Sequence, residues 1–218
     1  MLQVRALCYK NILHDVSFSL QRGSFCVVAG ANASGKTTLL RCIKGLYKHD
    51  GDVEMDEKCF LVFQDPDTQI IGSTVEKDLG FGIEDKSRIA QVASAFGLEG
   101  LMDRKPSTLS GGEKRRLAIA DAIVSGARIL LLDEIFSNLD YPSIRMVIKT
   151  LKDLRDDCVT IVLVTHEIEK VLALSDYLVI LDHGRIAHQG RTEELFSLVD
   201  WEAHGIRAKG KLESMLWQ

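Results

Sequence analysis

Residues 30–37 read GANASGKT and lie between two apolar segments, FCVVA at 25–29 and LLRCI at 39–43. This pattern predicts a strand, a glycine-rich turn and a helix. The two glycines let the backbone fold closely around an anion, so that N–H groups and the positive end of the helix dipole point at phosphate oxygens. Lys36 supplies a cation for phosphate and Thr37 a hydroxyl for Mg²⁺. The segment therefore predicts nucleoside triphosphate binding.

The whole chain has the length and composition of a compact α/β protein. Its 218 residues suffice for one domain with an inserted subdomain, and its contents of 46% hydrophobic and 27% charged residues are ordinary for a globular protein. The net charge of −4 offers no general basic surface. We therefore predict a single domain over residues 1–218 that does not bind nucleic acid.

Cysteine usage and hydropathy place limits on the cellular setting. No apolar stretch approaches the roughly 18–20 residues needed to cross a bilayer, and the N-terminus lacks the pattern of a signal peptide. Any membrane-spanning part is therefore expected from another chain. The cysteines show no paired metal-site spacing and are expected to be reduced core thiols of a cytosolic protein; they are Cys8, Cys26, Cys42, Cys59 and Cys158.

The first third of the chain has mainly strand patterns. Alternating apolar and polar residues predict strands at 2–9 and 15–20, forming a small antiparallel sheet that leads into a parallel one. A helix is predicted at 36–46. Segments 53–55 and 59–63 are interpreted as two strands of a tight hairpin.

The remainder alternates between helical and strand patterns. Helices predicted at 74–81, 86–96 and 112–124 form a candidate helical subdomain at about 72–127. Short apolar runs separated by helical periodicity then favour a doubly wound parallel sheet. Its predicted parts are strands at 129–132, 159–164 and 177–181 and helices at 143–154 and 167–174. Residues 185–189 and the segment beyond Thr192 finish the domain, with a candidate terminal helix carrying Leu212, Met215, Leu216 and Trp217.

Two carboxylates follow the apolar run at 129–132. Asp133 and Glu134 stand at the carboxyl end of a buried strand, where ligands bind in open α/β sheets. Asp133 can hold Mg²⁺, and Glu134 can accept a proton from an attacking water. Such a pair alone is more often solvated, but beside a phosphate loop it favours hydrolysis.

A second glycine-rich helix start reads LSGGE, at residues 109–113. A helix N-terminus can bind an anion. The same residues can equally form a serine-capped helix start. The basic run at 114–116 that follows is typical of a solvated helix face and carries no site prediction.

In this order the segments resemble the nucleotide-binding subunits of ABC (ATP-binding cassette) transporters over nearly the whole chain. The resemblance implies an α/β fold in which a P-loop NTPase parallel sheet carries a small antiparallel β subdomain and an inserted helical subdomain. The motifs that carry it are Walker A at 30–37, the Q-loop Gln64, the signature at 109–113, Walker B at 129–134, the D-loop at 137–140 and the switch His166.

The resemblance also implies roles for individual residues. Lys36, Gln64, Glu134 and His166 are expected to be catalytic, and Thr37, Gln64 and Asp133 to hold Mg²⁺. Tyr9 stands where the family stacks an aromatic ring on adenine, although a lone strand tyrosine is as often a core residue. The implied ATP-binding residues are Tyr9, Gly30, Ala31, Asn32, Ala33, Ser34, Gly35, Lys36, Thr37 and Thr38 of one domain and Ser110, Gly111 and Gly112 of a second.

Partners follow from the same resemblance. Two ABC ATPase domains pack head to tail, as a homodimer or with a related subunit. The residues FQDPDTQ at 63–69 and the segment that follows are similar to the energy-coupling-factor and cobalt/nickel importer branch. Members of that branch energise uptake of vitamins or transition metals together with membrane subunits. Docking is expected near residues 64–82, with Asp65, Ile70, Ile71 and Thr74 as candidate contacts, on the cytoplasmic face of the cell membrane.

Three departures from the family pattern are visible. Ile135 stands where proline is usual, the connection at 55–59 is short, and the chain ends soon after Thr192 without a longer C-terminal extension. The alternative is a soluble ABC ATPase, for example in iron–sulfur assembly. A kinase would share only the phosphate loop and would give no reason for residues 109–113.

Overall fold

A computed structural model describes residues 1–206 and Leu212. It is an α/β fold with two sheets. In chain order the strands are β1 (Leu2–Tyr9), β2 (Leu13–Leu20), β3 (Phe25–Ala29), β4 (Asp50–Met55), β5 (Cys59–Val62), β6 (Ile129–Asp133), β7 (Thr160–Val164), β8 (Tyr177–Asp182) and β9 (Arg185–Arg191). The small sheet is antiparallel in the order β2-β1-β4, and the large sheet has the order β5-β6-β7-β3-β8-β9.

The helices follow the strands of the large sheet. They are α1 (Lys36–Ile43), α2 (Val75–Leu79), α3 (Lys86–Ala95), α4 (Gly111–Val124), α5 (Tyr141–Asp156) and α6 (Thr192–Phe196). Local sequence sets several of their starts: Thr74, Asp85, Ser110 and Asp140 accept an N–H of the first turn of α2, α3, α4 and α5. No helix in the described part is long and apolar enough to span a bilayer.

The strand order of the large sheet positions the site. Every residue of β3, β6 and β7 is buried, as expected for parallel strands covered on both faces. These three strands are parallel neighbours. Their carboxyl ends therefore meet at one edge of the sheet, where they lead into residues 30–37, Glu134 and His166.

The predicted hairpin at 53–63 is wrong. β4 pairs antiparallel with β1, with Leu2 opposite Met55. β5 pairs parallel with β6, with Cys59 opposite Ile129. The short connection crosses from one sheet to the other because β4 is largely exposed while the apolar β5 is almost fully buried.

Other predicted elements also differ. The helix predicted at 167–174 consists of two 3₁₀ turns, Ile168–Lys170 and Leu172–Leu174. Val171 lies between them with a φ of −148°, outside the helical range, and it is buried together with Leu172. α1 ends at Ile43 rather than Leu46, since Gly45 adopts a φ of 77° and its N–H bonds to Cys42 O, a common helix stop.

Two further expectations concern the cysteines and the C-terminus. Cys26, Cys42 and Cys59 are buried, but Cys158 is exposed and is not a core thiol. Leu212 is partly buried against the main core. The rest of the predicted terminal helix, including Met215, Leu216 and Trp217, lies outside the described residues.

Candidate functional site

The phosphate loop is shaped by positive backbone φ angles. Ala33 has a φ of 63° and Gly35 one of 104°. A Cβ at Gly35 would lie 2.9 Å from Leu13 Cδ2, so glycine fits where a side chain would collide. These conformations wrap the backbone into a cradle at the start of α1, with its N–H groups available to an anion.

Lys36 lies across this cradle. Its Nζ donates to Gly30 O at 2.9 Å and to Ala31 O at 2.8 Å. Burial lowers the pKa of Lys36, while Glu134 and Asp133 act in the opposite direction. Ser34 Oγ is buried beside it without a hydrogen-bond partner in the described structure. A lysine with a remaining donor and an unpartnered hydroxyl fit a phosphate group.

Asp133 and Thr37 form the second part of the site. Thr37 Oγ1 donates to Asp133 Oδ1 at 2.9 Å. Burial raises the pKa of Asp133, and the Thr37 hydrogen bond opposes that rise. Gln64 is exposed at the rim of a cavity of about 380 Å³ that Asp133 also lines. These groups are hard oxygen donors of the kind that Mg²⁺ binds together with water and phosphate.

Glu134 and His166 face each other. His166 Nδ1 lies 3.0 Å from each carboxylate oxygen of Glu134. Glu134 leaves the strand with a φ of 46°, and its N–H donates to Val164 O. This turn, rather than a continued strand, directs its side chain towards the site. Both residues line a cavity of about 610 Å³ together with Lys36, Thr37 and Gln64.

The structure therefore brings together residues of the phosphate loop, residues predicted to hold Mg²⁺ and residues predicted to be catalytic. Around the 610 Å³ cavity lie Ile12, Asn32, Ala33, Gly35, Lys36, Thr37, Thr38, Gln64, Glu134 and His166. An adjoining cavity of about 980 Å³ is lined by Gly30, Ala31, Asn32, His166, Glu167, Glu169, Glu202 and Gly205.

The signature residues lie elsewhere. Ser110 Oγ accepts the N–H of Glu113, and the Glu113 carboxylate accepts the N–H of Ser110 at 2.7 Å, which completes a capping box. A Cβ at Gly112 would lie 2.1 Å from Ser143 Oγ, and one at Gly111 would lie 3.6 Å from Leu139 Cδ2. The signature thus packs against the start of α5, and its residues are not among those that line the 610 Å³ cavity.

Tyr9 also lies outside the lining of that cavity. Its ring stacks on Tyr47 with centroids 5.0 Å apart and an angle of 10° between the planes. Tyr47 in turn receives a hydrogen bond from Arg41 at 2.8 Å. A second ring therefore supports Tyr9.

Arg115 is a site residue that the sequence analysis missed. It is buried, and its guanidinium donates to Phe63 O and Gln64 O at 2.7 Å each. Burial lowers its pKa to about 10, so it stays charged at neutral pH. The expectation of a solvated basic face at 114–116 is wrong, because Arg116 is buried too. The apolar run at 117–120 could have signalled a helix that is buried on nearly all sides.

The segment at 64–82 presents two large apolar side chains. Ile71 is 66% exposed and Phe81 is 70% exposed. Of the other candidate contacts, Asp65 is exposed and Ile70 is partly buried against the main core. Thr74 accepts the N–H of Lys77 at 3.3 Å and so also starts α2.

Comparison with known proteins gives a family match and close relatives. Residues 13–137 match the family model described as ABC transporter. The chain is 36% identical to the energy-coupling factor transporter ATP-binding protein EcfA1 of Streptococcus pyogenes. That match covers 88% of this chain and 76% of the relative.

Solved structures of ATP-binding cassettes are also similar to this chain. CbiO1 of Clostridium perfringens, described as part of the ABC transporter complex cbiONQ, is 28% identical with a TM-score of 0.81, over 90% of each chain. A dimeric ATP-binding cassette in a post-hydrolysis state, bound to ADP and Pi, is 25% identical with a TM-score of 0.75. That match covers 88% of this chain and 99% of the cassette. These likenesses confirm the predicted fold class.

Proposed function

Because the chain belongs to the ABC transporter family, we propose that it is the ATP-binding subunit of an importer of the energy-coupling factor type. It hydrolyses ATP and thereby energises uptake, of a vitamin or a transition metal, through separate membrane subunits. The observation that carries this proposal is the cavity shared by Lys36, Thr37, Glu134 and His166. The soluble ABC ATPase is not favoured, because the relatives are transporter ATPases.

The loop at 30–38 binds the phosphates of ATP. Its N–H groups and Lys36 provide the positive charge, and the Ser34 hydroxyl provides a further donor. Thr37, Asp133 and Gln64 would hold Mg²⁺, which when bound neutralises phosphate charge. Tyr9, supported by Tyr47, offers a ring face for adenine.

Glu134 is the general base. Its carboxylate accepts the Nδ1–H of His166, which holds it at the cavity wall where it can take a proton from the attacking water. Gln64 lies at the same cavity and orients that water. Arg115 holds the backbone on which Gln64 is placed.

A second ATPase domain completes each site. Ser110, Gly111 and Gly112 lie away from the cavity of their own chain, so they would cover ATP bound to a partner. Ser110 Oγ accepts an N–H from Glu113 and keeps its own proton for a phosphate oxygen. The dimeric cassette bound to ADP and Pi supports this arrangement. The partner is a second copy or a related subunit.

The membrane subunits dock on residues 64–82. Exposed Ile71 and Phe81 give this segment an apolar surface beside Asp65. The neighbour CbiO1 belongs to a transporter complex, which supports a location on the cytoplasmic face of the membrane. We treat residues 1–218 as one ATPase domain in which residues of about 72–127 form the helical subdomain.

The experiment that tests this proposal replaces the base and keeps its shape. Glu134→Gln should lower steady-state ATP hydrolysis about 100-fold or more while ATP still binds, because proton abstraction is lost. Exposed Glu99→Gln is the matched control and should hydrolyse ATP at the wild-type rate. Near-normal turnover by Glu134→Gln would contradict the assignment. Purification from native membranes should also recover integral membrane subunits; recovery of a soluble assembly partner alone would contradict transport.

A further inference from the structure

The buried carboxyl group of an aspartate on α2 lies near the half-buried one of an aspartate on α4. Asp78 of α2 is 5% exposed, and its carboxyl group lies close enough to that of Asp121 of α4 to raise the pKa of Asp121. No described N–H or O–H donates to Asp78 Oδ2 or to Asp121 Oδ1, and both atoms are buried. A buried carboxylate oxygen without a donor is costly. A proton carried by one of the two carboxyls satisfies both atoms at once.

Backbone contacts indicate which carboxyl carries that proton. Asp78 Oδ1 accepts the N–H of Ile71 at 2.8 Å and the N–H of Gly72 at 2.5 Å. Such donors stabilise an ionised carboxylate. The pKa of Asp121 is raised by burial first and then by the charge of Asp78. The proton therefore belongs on Asp121.

Within residues 1–206, no basic group acts on the Asp121 carboxyl in place of the proton. Of the charged groups in the described structure, Asp78 is the one that acts on the Asp121 carboxyl. Several cations on α4 and on the elements packed against it contact other groups: Lys114 contacts Asp67, Arg115 contacts Phe63 O and Gln64 O, Arg116 contacts Phe96 O, Arg88 contacts Ile123 O, and Arg145 lies over the Tyr141 ring. The others are Arg155, which pairs with Asp176, and the exposed Lys77, Lys86, Lys149 and Lys152.

We propose that Asp121 keeps a proton at neutral pH and donates it to Asp78, so that one shared proton fastens α4 to the turn at Ile71 and Gly72. The turn lies directly on α2, since a Cβ at Gly72 would be 2.4 Å from Asp78 N. α4 begins at the signature, and Ile71 lies on the proposed docking surface. Asp121 is thus a positioning residue between the two, and this part of the inference rests on the proposed function.

The protonation itself can be measured without ATP. Carboxyl ¹³C chemical shifts of the full chain, followed across pH, should show one aspartate with a midpoint above about pH 6, where an ordinary aspartate is ionised. That signal should be missing in Asp121→Asn. The exposed Asp103→Asn control should retain it. If every aspartate titrates near its ordinary pH of about 4, the inference is overturned.

Amide hydrogen exchange at residues 71 and 72 tests the mechanical link. An amide at 121 donates to Asp78 at every pH, so Asp121→Asn should keep the N–H groups of residues 71 and 72 protected at high pH. At that pH the wild type has lost the shared proton, and these two N–H groups should exchange about tenfold faster than in Asp121→Asn. Asp121→Leu has no donor and should exchange fast at all pH values. Equal exchange in the three proteins would overturn the link.

These outcomes separate the inference from the proposed function. If Asp121 titrates normally while Glu134→Gln abolishes hydrolysis, the shared proton is wrong and the ATPase assignment stands. If Asp121 titrates high while Glu134→Gln hydrolyses ATP normally, the shared proton stands and the ATPase assignment fails.

Discussion

Two glycine-rich segments each lead into a helix, but their N–H groups meet different partners. α1 begins after Gly35, which has a φ of 104° and provides no side-chain cap, and its first turn has no acidic residue. α4 begins after Ser110, which forms a capping box with Glu113. The first helix start is thus open to an external anion, whereas the second has two of its N–H groups already paired by its own side chains.

This difference separates a primary anion site from a secondary one. At residues 30–37, donors and Lys36 surround the place that an anion would occupy. At residues 109–113, the N–H groups of Ser110 and Glu113 are already paired in the capping box, and an arriving phosphate would find the hydroxyl proton of Ser110. We therefore expect the first segment to determine ATP affinity and the second to contribute after a second domain arrives.

Removing the cation from the open helix start should have the largest effect. Lys36→Met keeps most of the stem and loses the ammonium, so ATP affinity should fall about 100-fold by isothermal titration, as charged hydrogen bonds of about 1.5–3 kcal/mol each are lost. The exposed Lys48→Met is the matched control and should bind ATP normally. Equal affinities in the two variants would show that the loop backbone alone binds phosphate.

The residues of this open site could be proposed from the sequence because each of them comes directly after a predicted strand. Residues 30–37, Glu134 and His166 come after apolar runs, and parallel neighbouring strands bring such positions together. The hairpin prediction failed because pairing of β4 with β1 depends on residues about fifty positions apart. Local pattern does not specify so distant a partner.

The contacts of buried polar residues also could not be predicted from the sequence. Arg115 belongs to a basic run that is typical of a solvated face, yet packing of α4 directs it to the carbonyl groups of residues 63 and 64. Asp121 is likewise a single acidic residue in a helix until α2 places Asp78 beside it. In both cases the neighbour that gives the residue its role is distant in sequence.

Arg115 connects α4, which begins at the second helix start, to Gln64, which lines the same cavity as Lys36. Its loss should have the next largest effect. Arg115→Met leaves two carbonyl groups without their charged donor, so the free energy of unfolding should fall by about 2–3 kcal/mol. Lys114→Met on the adjacent position breaks only a partly exposed ion pair with Asp67 and should cost under about 1 kcal/mol. Urea unfolding of both variants measures the difference. Similar losses would mean that Arg115 does not hold the segment with Gln64.

Removing the capping box of the second helix start should have the smallest effect on the free energy of unfolding. Glu113→Ala removes half of the capping box and should lower the free energy of unfolding by about 1 kcal/mol, whereas Glu113→Gln retains an acceptor and should lose less.

The hydrogen bond from Ser110 N–H lowers the pKa of Glu113, which fixes the sign of its pH dependence. Its stabilisation is fully present above the ordinary carboxyl pKa and is lost as the pH falls through the lowered value. The gap between wild type and Glu113→Ala in urea unfolding should therefore close as the medium becomes acidic. A gap that is independent of pH would mean that the Glu113 charge does not hold this helix start closed, and that the two starts differ in backbone shape alone.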